Sequence, residues 1–277
     1  MRDCDSREST YMLKDITLGQ YYPADSVIHK LDPRVKLSAT IVYIVSLFLF
    51  RSIPGFVLAT AVLIALTRIS GLPFRLMAKG IRAIWALIAI TAFFNLFFTS
   101  GELLWGIGFI EITDTGLKNA VYFSTRLVYL ILGSSILTLT TTPNKLTDGI
   151  ETGLRVLNKI RIPVHEIAMM MSIALRFIPL LGDEAERIKK AQTARGADFS
   201  SGGLIRKVKS LVPILVPLFV SAFRRANDLA LAMEARCYHG GEGRTKMKPL
   251  RYERQDYIAY LLILLYLAGI IIIRIIF

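Results

Sequence analysis

The chain contains few of the residues from which metal centres, disulfides and acid–base sites are built. Its 277 residues include only two cysteines, Cys4 and Cys237, and three histidines. The cysteines lie far apart in polar segments, which argues against a disulfide framework, and no histidine has metal-ligand spacing. The sequence also lacks a glycine-rich phosphate-binding loop and the G-x-S-x-G motif of hydrolases. We therefore predict no metal site, no cofactor and no catalytic residue.

Acidic residues are scarce as well, with 21 Asp and Glu against 34 Lys and Arg, which gives a net charge of +13. Yet 53% of the residues are hydrophobic and the mean hydropathy is +0.50, which predicts an integral membrane protein. A basic excess then has three common causes: nucleic-acid binding, contact with anionic lipid, or the positive-inside rule. Aromatic residues are sparse among the basic ones, so we predict a lipid bilayer, and no nucleic acid, as a partner.

Five apolar segments alternate with polar ones, at 37–50, 56–67, 84–99, 120–140 and 257–277. The first two are short for a hydrocarbon core of about 30 Å, and a proline–glycine pair separates them. We interpret this break as a tight turn between two helices; a single kinked helix is the alternative. The pattern predicts an all-α polytopic membrane protein with about five transmembrane helices, four within residues 37–140 and one within 251–277.

The charges between these segments predict the orientation. The loop after the second segment is basic and contains no acid: Arg68, Arg75, Lys79 and Arg82. The connector after the third segment is acidic: Glu102, Glu111 and Asp114. Residues 143–256 hold 20 of the 34 Lys and Arg. By the positive-inside rule, we predict a multi-pass membrane protein with a cytoplasmic N-terminal segment, residues 1–36, which also lacks the apolar core of a signal peptide.

The polar block at 141–250 contains two long stretches of helical periodicity. The first begins at Pro163 and ends at Gly196, and the second begins after Gly203 and ends near Gly240. Both are amphipathic, and no other soluble core is available for their apolar stripes. We therefore predict a cytoplasmic domain whose two long helices pack on each other and along the inner membrane surface.

The same triplet pattern closes both stretches: Ala194-Arg195-Gly196 and Ala235-Arg236-Cys237. Each triplet also has a further alanine three residues before its first member. Small neighbours allow a guanidinium to project into a pocket, and arginine can pair with a carboxylate through two parallel hydrogen bonds. Two such arginines at two helix ends on one side of a membrane predict two similar sockets on a soluble partner.

Two other functions deserve comparison. Asp183, Glu184 and Glu186 would be the acids of a membrane-embedded, metal-dependent transferase, although surface acids pairing with Arg187, Lys189 and Lys190 on their own helix explain them more simply. A conventional ABC permease needs a substrate pathway through its own spans. The predicted spans hold few polar residues beyond Asn95, Arg126 and some Ser and Thr.

Four stretches together resemble one family. They are residues 19–37, residues 174–179 (Ala-Leu-Arg-Phe-Ile-Pro), the triplet at 194–196, and residues 234–241 (Glu-Ala-Arg-Cys-Tyr-His-Gly-Gly). With this set, the chain resembles the transmembrane T component of energy-coupling factor (ECF) transporters, the CbiQ/EcfT-like family, over roughly residues 19–277. Cys237 departs from the Gly, Ala or Ser often found at its position in that family.

The resemblance implies a non-catalytic scaffold of an ATP-driven importer in the prokaryotic cell membrane. Two cytoplasmic ATP-binding subunits would dock beneath the chain, one on Arg195 and the other on Arg236. A separate membrane-embedded S component would bind the vitamin or metal ion and contact the apolar faces of the long coupling helices. Their movement on ATP hydrolysis would tilt the S component and release its substrate inside the cell.

Overall fold

The structure, a computed structural model, describes residues 21–50, 52–99, 103–107, 110–154, 163–197, 199, 203–240 and 249–276. These residues form nine helices and one pair of short strands: α1 (Val27–Lys30), α2 (Pro33–Leu49), α3 (Ile53–Ser70), α4 (Phe74–Phe98), β1 (Leu103–Ile107), β2 (Ile110–Thr113), α5 (Asp114–Thr140), α6 (Pro143–Gly153), α7 (Val164–Ala194), α8 (Leu204–Ala235) and α9 (Arg254–Ile276). The chain divides into two compact units, one containing 21–149 with 250–276 and the other 150–249.

Two helices, not one kinked helix, occupy the first pair of apolar segments. Asp32 caps α2, because its Oδ1 accepts a hydrogen bond of 2.9 Å from the Arg34 N–H, and Pro33 occupies the first helical position. The helix ends at Leu49, and α3 begins at Ile53 with a proline in its first turn. Gly71, at φ +65°, then ends α3 in the left-handed conformation that glycine adopts readily.

Helix α2 lies antiparallel to the second half of α5. At one end the Lys36 ammonium donates to the Thr140 carbonyl at 3.1 Å, and at the other the Arg126 guanidinium donates to the Phe50 carbonyl at 3.4 Å. The two contacts are 14 residues apart on each helix, from Lys36 to Phe50 and from Arg126 to Thr140. The two helices therefore lie side by side over about 21 Å. We call these two ends of the bundle the Thr140 end and the Phe50 end.

The apolar core of this unit lies where α2, α3, α4, α5 and α9 meet. Its best-buried members include Leu47, Phe50, Met77 and Ile270. Helix α5 approaches α2 closely at Gly133, where a Cβ would lie 2.5 Å from the Tyr43 ring. A larger residue at that position would therefore push the two helices apart. The Ser46 hydroxyl and the Tyr266 hydroxyl, 2.7 Å apart, join α2 to α9.

Helices α4 and α5 begin well before the apolar segments that predicted them, by 10 and 6 residues. Helix α4 starts at Phe74, so Arg75, Lys79 and Arg82 lie on its first turns and not in a loop. Charged residues near a helix end do not interrupt it, and no proline follows Pro73 before α4 ends at Phe98. Helix α5 starts at Asp114 and not at Ala120, because the Thr113 hydroxyl accepts from the Gly116 N–H and caps it. The acidic connector contains the antiparallel strands β1 and β2.

Five described helices are long and apolar enough to cross a membrane, which confirms the predicted number of spans but not every member. They are α3, α4 from Arg75, α5, α7 and α9. The predicted first span, 37–50, lies in α2, whose 17 residues extend only about 25 Å. Helix α7 qualifies because an apolar first half precedes its charged second half. The chain is therefore an all-α, multi-pass membrane protein with one small strand pair.

Arg126 is buried in α5 although it carries a charge. Its guanidinium contacts the Phe50 carbonyl and the Tyr122 hydroxyl, and its Cζ lies 4.9 Å from the centre of the Phe48 ring and 4.5 Å from that of Tyr122. Phe50 is the residue that ends α2. Arg126 thus places a positive charge at the negative end of the α2 dipole and covers it with aromatic rings.

A polar cluster of Asp32, Lys36 and Asp256 closes the Thr140 end. Asp256 accepts at 2.8 Å from the Asp32 N–H through Oδ1 and at 2.8 Å from the Glu253 N–H through Oδ2. Lys36 donates at 3.1 Å to the carbonyls of His29 and Thr140. These bonds tie the starts of α2 and α9 to the end of α5. They explain the lysine at position 36, whereas Asp32 and Pro33 are explained by the start of α2.

His29 supports this end from the side. Its Nδ1 lies 2.7 Å from the Ser26 hydroxyl and its Nε2 lies 3.0 Å from the Tyr22 carbonyl. Burial lowers the pKa of His29 below the value of a free histidine, so the ring is neutral at pH 7. A neutral ring protonated on Nε2 donates to Tyr22 and accepts from Ser26, which satisfies both contacts.

Candidate functional site: the arginines that end α7 and α8

Helix α7 ends at Arg195 in a defined hydrogen-bonding motif. The Gly196 N–H donates to the Thr193 carbonyl at 3.0 Å, and the Ala197 N–H donates to the Gln192 carbonyl at 3.0 Å. Gly196 has φ +90°. This is a Schellman motif, in which a residue in left-handed conformation reverses the chain and satisfies the last helical carbonyls. Arg195 occupies the C-cap position of that motif.

Helix α8 ends in the same motif. The Cys237 N–H donates to the Glu234 carbonyl at 2.8 Å, and the Tyr238 N–H donates to the Met233 carbonyl at 3.0 Å. Cys237 takes the left-handed position, with φ +55°, and Arg236 is the C-cap residue. The two triplets that look alike in the sequence therefore have the same backbone structure, and each presents its arginine from the same position.

Among the residues that the structure describes, Cys237 is the one residue other than glycine that has a positive φ. A side chain in this conformation costs about 1–2 kcal/mol because its Cβ crowds the carbonyl oxygen. We expect Cys237→Gly to raise the free energy of unfolding by about 1 kcal/mol. Thermal unfolding in detergent measures this effect. The matched variant Gly196→Ala should lower stability by a similar amount, and a lower melting temperature for Cys237→Gly would contradict this explanation.

All six residues of the two triplets are exposed. Within the described part of the chain, neither the Arg195 nor the Arg236 guanidinium forms an ion pair with this protein's own acids. The flanking alanines, glycine and cysteine leave the space around each guanidinium open. Each guanidinium is therefore a planar hydrogen-bond donor that is available to bind a carboxylate of another molecule.

The body of α7 packs against α8 through charged and polar side chains. The Glu184 carboxylate accepts from the Ser221 hydroxyl at 2.7 Å and pairs with the Arg225 guanidinium at 2.7 Å. The sequence pattern predicted that Glu184 pairs with basic residues of its own helix. Arg187 of that helix does interact electrostatically with the Glu184 carboxylate, but the hydrogen-bond partners of Glu184 lie on α8. Arg225 lies 41 residues away along the chain, so only the packing of the two helices could identify it.

The acids of α7 do not form a metal site in the structure. Both carboxylate oxygens of Glu184 already accept hydrogen bonds from α8. Over the described residues, no group of three His, Cys, Asp or Glu side chains is arranged to hold a metal ion. The cluster of Asp183, Glu184 and Glu186 therefore acts here through helix packing and surface charge.

The apolar faces of both long helices stay largely uncovered by the described residues. On α8 the exposed residues include Val212, Leu215, Phe219 and Phe223, and on α7 they include Met170 and Ile178. The predicted packing of the two stripes on each other is thus only partial. Exposed apolar surface of this extent is typical of contact with lipid or with another membrane protein.

Comparison with known proteins agrees with this structure. The family model CbiQ, described as a cobalt transport protein, matches residues 24–247. The energy-coupling factor transporter transmembrane protein EcfT of Clostridium kluyveri is 53% identical over 252 residues, which cover 90% of this chain and 93% of that protein. The EcfT proteins of Ruminiclostridium cellulolyticum and Bacillus subtilis are 46% and 44% identical, over 96% and 88% of this chain and 100% and 93% of their own lengths.

The match of the family model extends over most of the chain and includes both arginine triplets. The relatives are similar over nearly their full lengths, and the membrane helices are of the expected number. The resemblance seen in the sequence is thereby confirmed. The chain belongs to the CbiQ family and is an EcfT/CbiQ-like transmembrane T component.

Proposed function

We propose that this protein is the energy-coupling scaffold of an ECF-type importer. It transmits ATP hydrolysis by two cytoplasmic ATP-binding subunits to a membrane-embedded S component, which takes up a vitamin or a metal ion. The chain itself is non-catalytic in this proposal. The observation that carries it is the pair of exposed arginines, Arg195 and Arg236, in identical Schellman motifs.

Each arginine is proposed to dock on one ATP-binding subunit. The Schellman motif turns the chain away from the helix end, so the guanidinium projects without a following helical turn beside it. An arginine that lacks an internal ion pair loses no existing bond when it enters a socket. Because the two ends have the same backbone structure, two equal or closely similar subunits would fit them.

The remaining parts of the chain agree with this assignment. The exposed apolar faces of α7 and α8 offer the S component a contact surface of low polarity. The excess of basic residues in 143–256 supports, by the positive-inside rule, a cytoplasmic position for α8, the charged second half of α7 and both arginines, with the N-terminus on the same side of the cell membrane. The transferase alternative loses support, because Glu184 is held by Ser221 and Arg225.

Purification of the chain in mild detergent tests the proposal as a whole. We expect two cytoplasmic ATP-binding subunits and a small membrane protein to co-purify with it, and the assembled complex, not the isolated chain, to couple ATP hydrolysis to uptake. Mass spectrometry of the purified complex identifies the subunits. A chain that purifies alone and transports substrate by itself would contradict the proposal in favour of a self-contained permease.

A further inference from the structure

The second halves of α7 and α8 correspond to each other at an offset of 41 residues. This offset superposes Arg195 on Arg236, and it also superposes Glu184 on Arg225. Each member of the Glu184–Arg225 pair therefore stands 11 residues before the arginine of its own helix. A direct contact between equivalent positions of two similar segments is what a local two-fold relation produces.

The contact between these positions is specific. The Glu184 carboxylate binds the Arg225 guanidinium at 2.7 Å with one oxygen and the Ser221 hydroxyl at 2.7 Å with the other. Its side chain is 24% exposed and that of Arg225 is 39% exposed, so the pair is partly shielded from water. We call Glu184, Ser221 and Arg225 the interhelical clamp.

An open groove surrounds the clamp and continues along α7. It is lined on α7 by Leu180, Asp183, Glu184, Arg187, Ile188 and Ala191 and on α8 by Arg225. Helix α7 thus faces open space on the way to Arg195. From the clamp, 11 helical residues extend about 16 Å to the docking arginine on each helix.

We propose that the interhelical clamp is the pivot that fixes the two docking arginines relative to each other, so that Glu184, Ser221 and Arg225 are positioning residues for coupling. This inference rests on the proposed function of Arg195 and Arg236. Apolar contacts between helices permit sliding, whereas a carboxylate that binds two groups on the facing helix sets both the register and the angle. The distance from the clamp to the docking arginine is the same on both helices. A movement of either arginine therefore turns its helix about the clamp.

The test uses the complete complex in proteoliposomes and measures substrate molecules imported per ATP hydrolysed. We expect Glu184→Arg and Arg225→Glu, each alone, to lower this ratio about fivefold or more, the scale of an ordinary coupling energy. The double variant E184R/R225E restores the ion pair with its charges exchanged and should recover most of the ratio. Ser221→Ala should give an intermediate loss. Asp183→Arg, an exposed acid beside the clamp, is the matched control and should behave as the unchanged protein.

Co-purification of the ATP-binding subunits is measured on the same samples, together with thermal unfolding. A loss that the double variant rescues supports the clamp, whether or not docking weakens in the single variants. An unchanged ratio in both single variants, or a folded double variant without recovery, would overturn it. The proposed function has a separate readout: if the chain binds ATP-binding subunits equally well after charge reversal at Arg195 and Arg236, the docking assignment fails whatever the clamp does.

Discussion

Exchange of both Arg195 and Arg236 for glutamate is expected to abolish ATP-driven uptake and to detach the ATP-binding subunits. Each arginine is exposed, without an internal ion pair in the described chain, and held at a C-cap, so its charge is available to a partner. In each socket, the partner's carboxylate that would bind the arginine would then face the carboxylate of the introduced glutamate. Such like-charge contacts cost several kcal/mol, and roughly 3 kcal/mol at each end corresponds to more than 100-fold in affinity.

Subunit co-purification and uptake into proteoliposomes measure this effect. The matched control reverses two exposed basic residues elsewhere on the same helices, Lys190→Glu with Lys209→Glu, and so makes the same change in net charge. The control should retain docking. The conservative pair Arg195→Lys with Arg236→Lys should give partial loss, because lysine keeps the charge but not the two parallel hydrogen bonds. Normal docking and uptake in the double glutamate variant would exclude both arginines from the interface.

Asp256→Ala is expected to cause the largest loss of stability among single substitutions in the membrane bundle. The carboxylate is 2% exposed and accepts from the Asp32 and Glu253 N–H groups. Its removal leaves these donors without an acceptor and removes a negative charge near Lys36. Hydrogen bonds to a charged group contribute about 1.5–3 kcal/mol, so we expect a loss of roughly 3 kcal/mol and a fall of about 5–10 °C in melting temperature.

Thermal unfolding in detergent measures the stability of this variant. Glu253→Ala is the matched control: it removes an exposed carboxylate three residues earlier, while its backbone N–H is kept. It should change the melting temperature by no more than about 1 °C, because exposed charges contribute little. Asp256→Asn should lie between the two, since an amide oxygen can still accept one of the hydrogen bonds. Equal melting temperatures for Asp256→Ala and Glu253→Ala would show that the polar cluster does not support the bundle.

Helix ends and helix contacts differ in how far the sequence predicts them. The ends of α7 and α8 follow from local signals, a small residue after an arginine at the close of a long periodic stretch. Their Schellman motifs involve residues at most five positions apart, so local sequence specifies them. The start of α4 was predicted too late, because the apolar pattern identifies the buried or lipid-facing part of a helix and not its charged first turns.

Contacts between distant residues were not predictable from one sequence. Asp256 pairs with the Asp32 backbone across 224 residues, and neither residue belongs to a motif that would suggest it. From the sequence, Arg126 is only a charge within a predicted span. Its contact with the Phe50 carbonyl is known from the fold alone. The acids of α7 had nearby basic residues on their own helix, so the correct partner of Glu184 competed with several plausible ones.

Composition and periodicity alone determined that this chain is a basic, helical membrane protein with two equivalent arginine-bearing helix ends, because apolar runs, charge bias and helix caps are local or additive properties. Only the tertiary structure decided that Lys36 and Asp256 close one end of the bundle and that Glu184 meets Arg225. Those outcomes depend on which side chains the fold brings together, and a carboxylate has no preference among several cations until packing selects one.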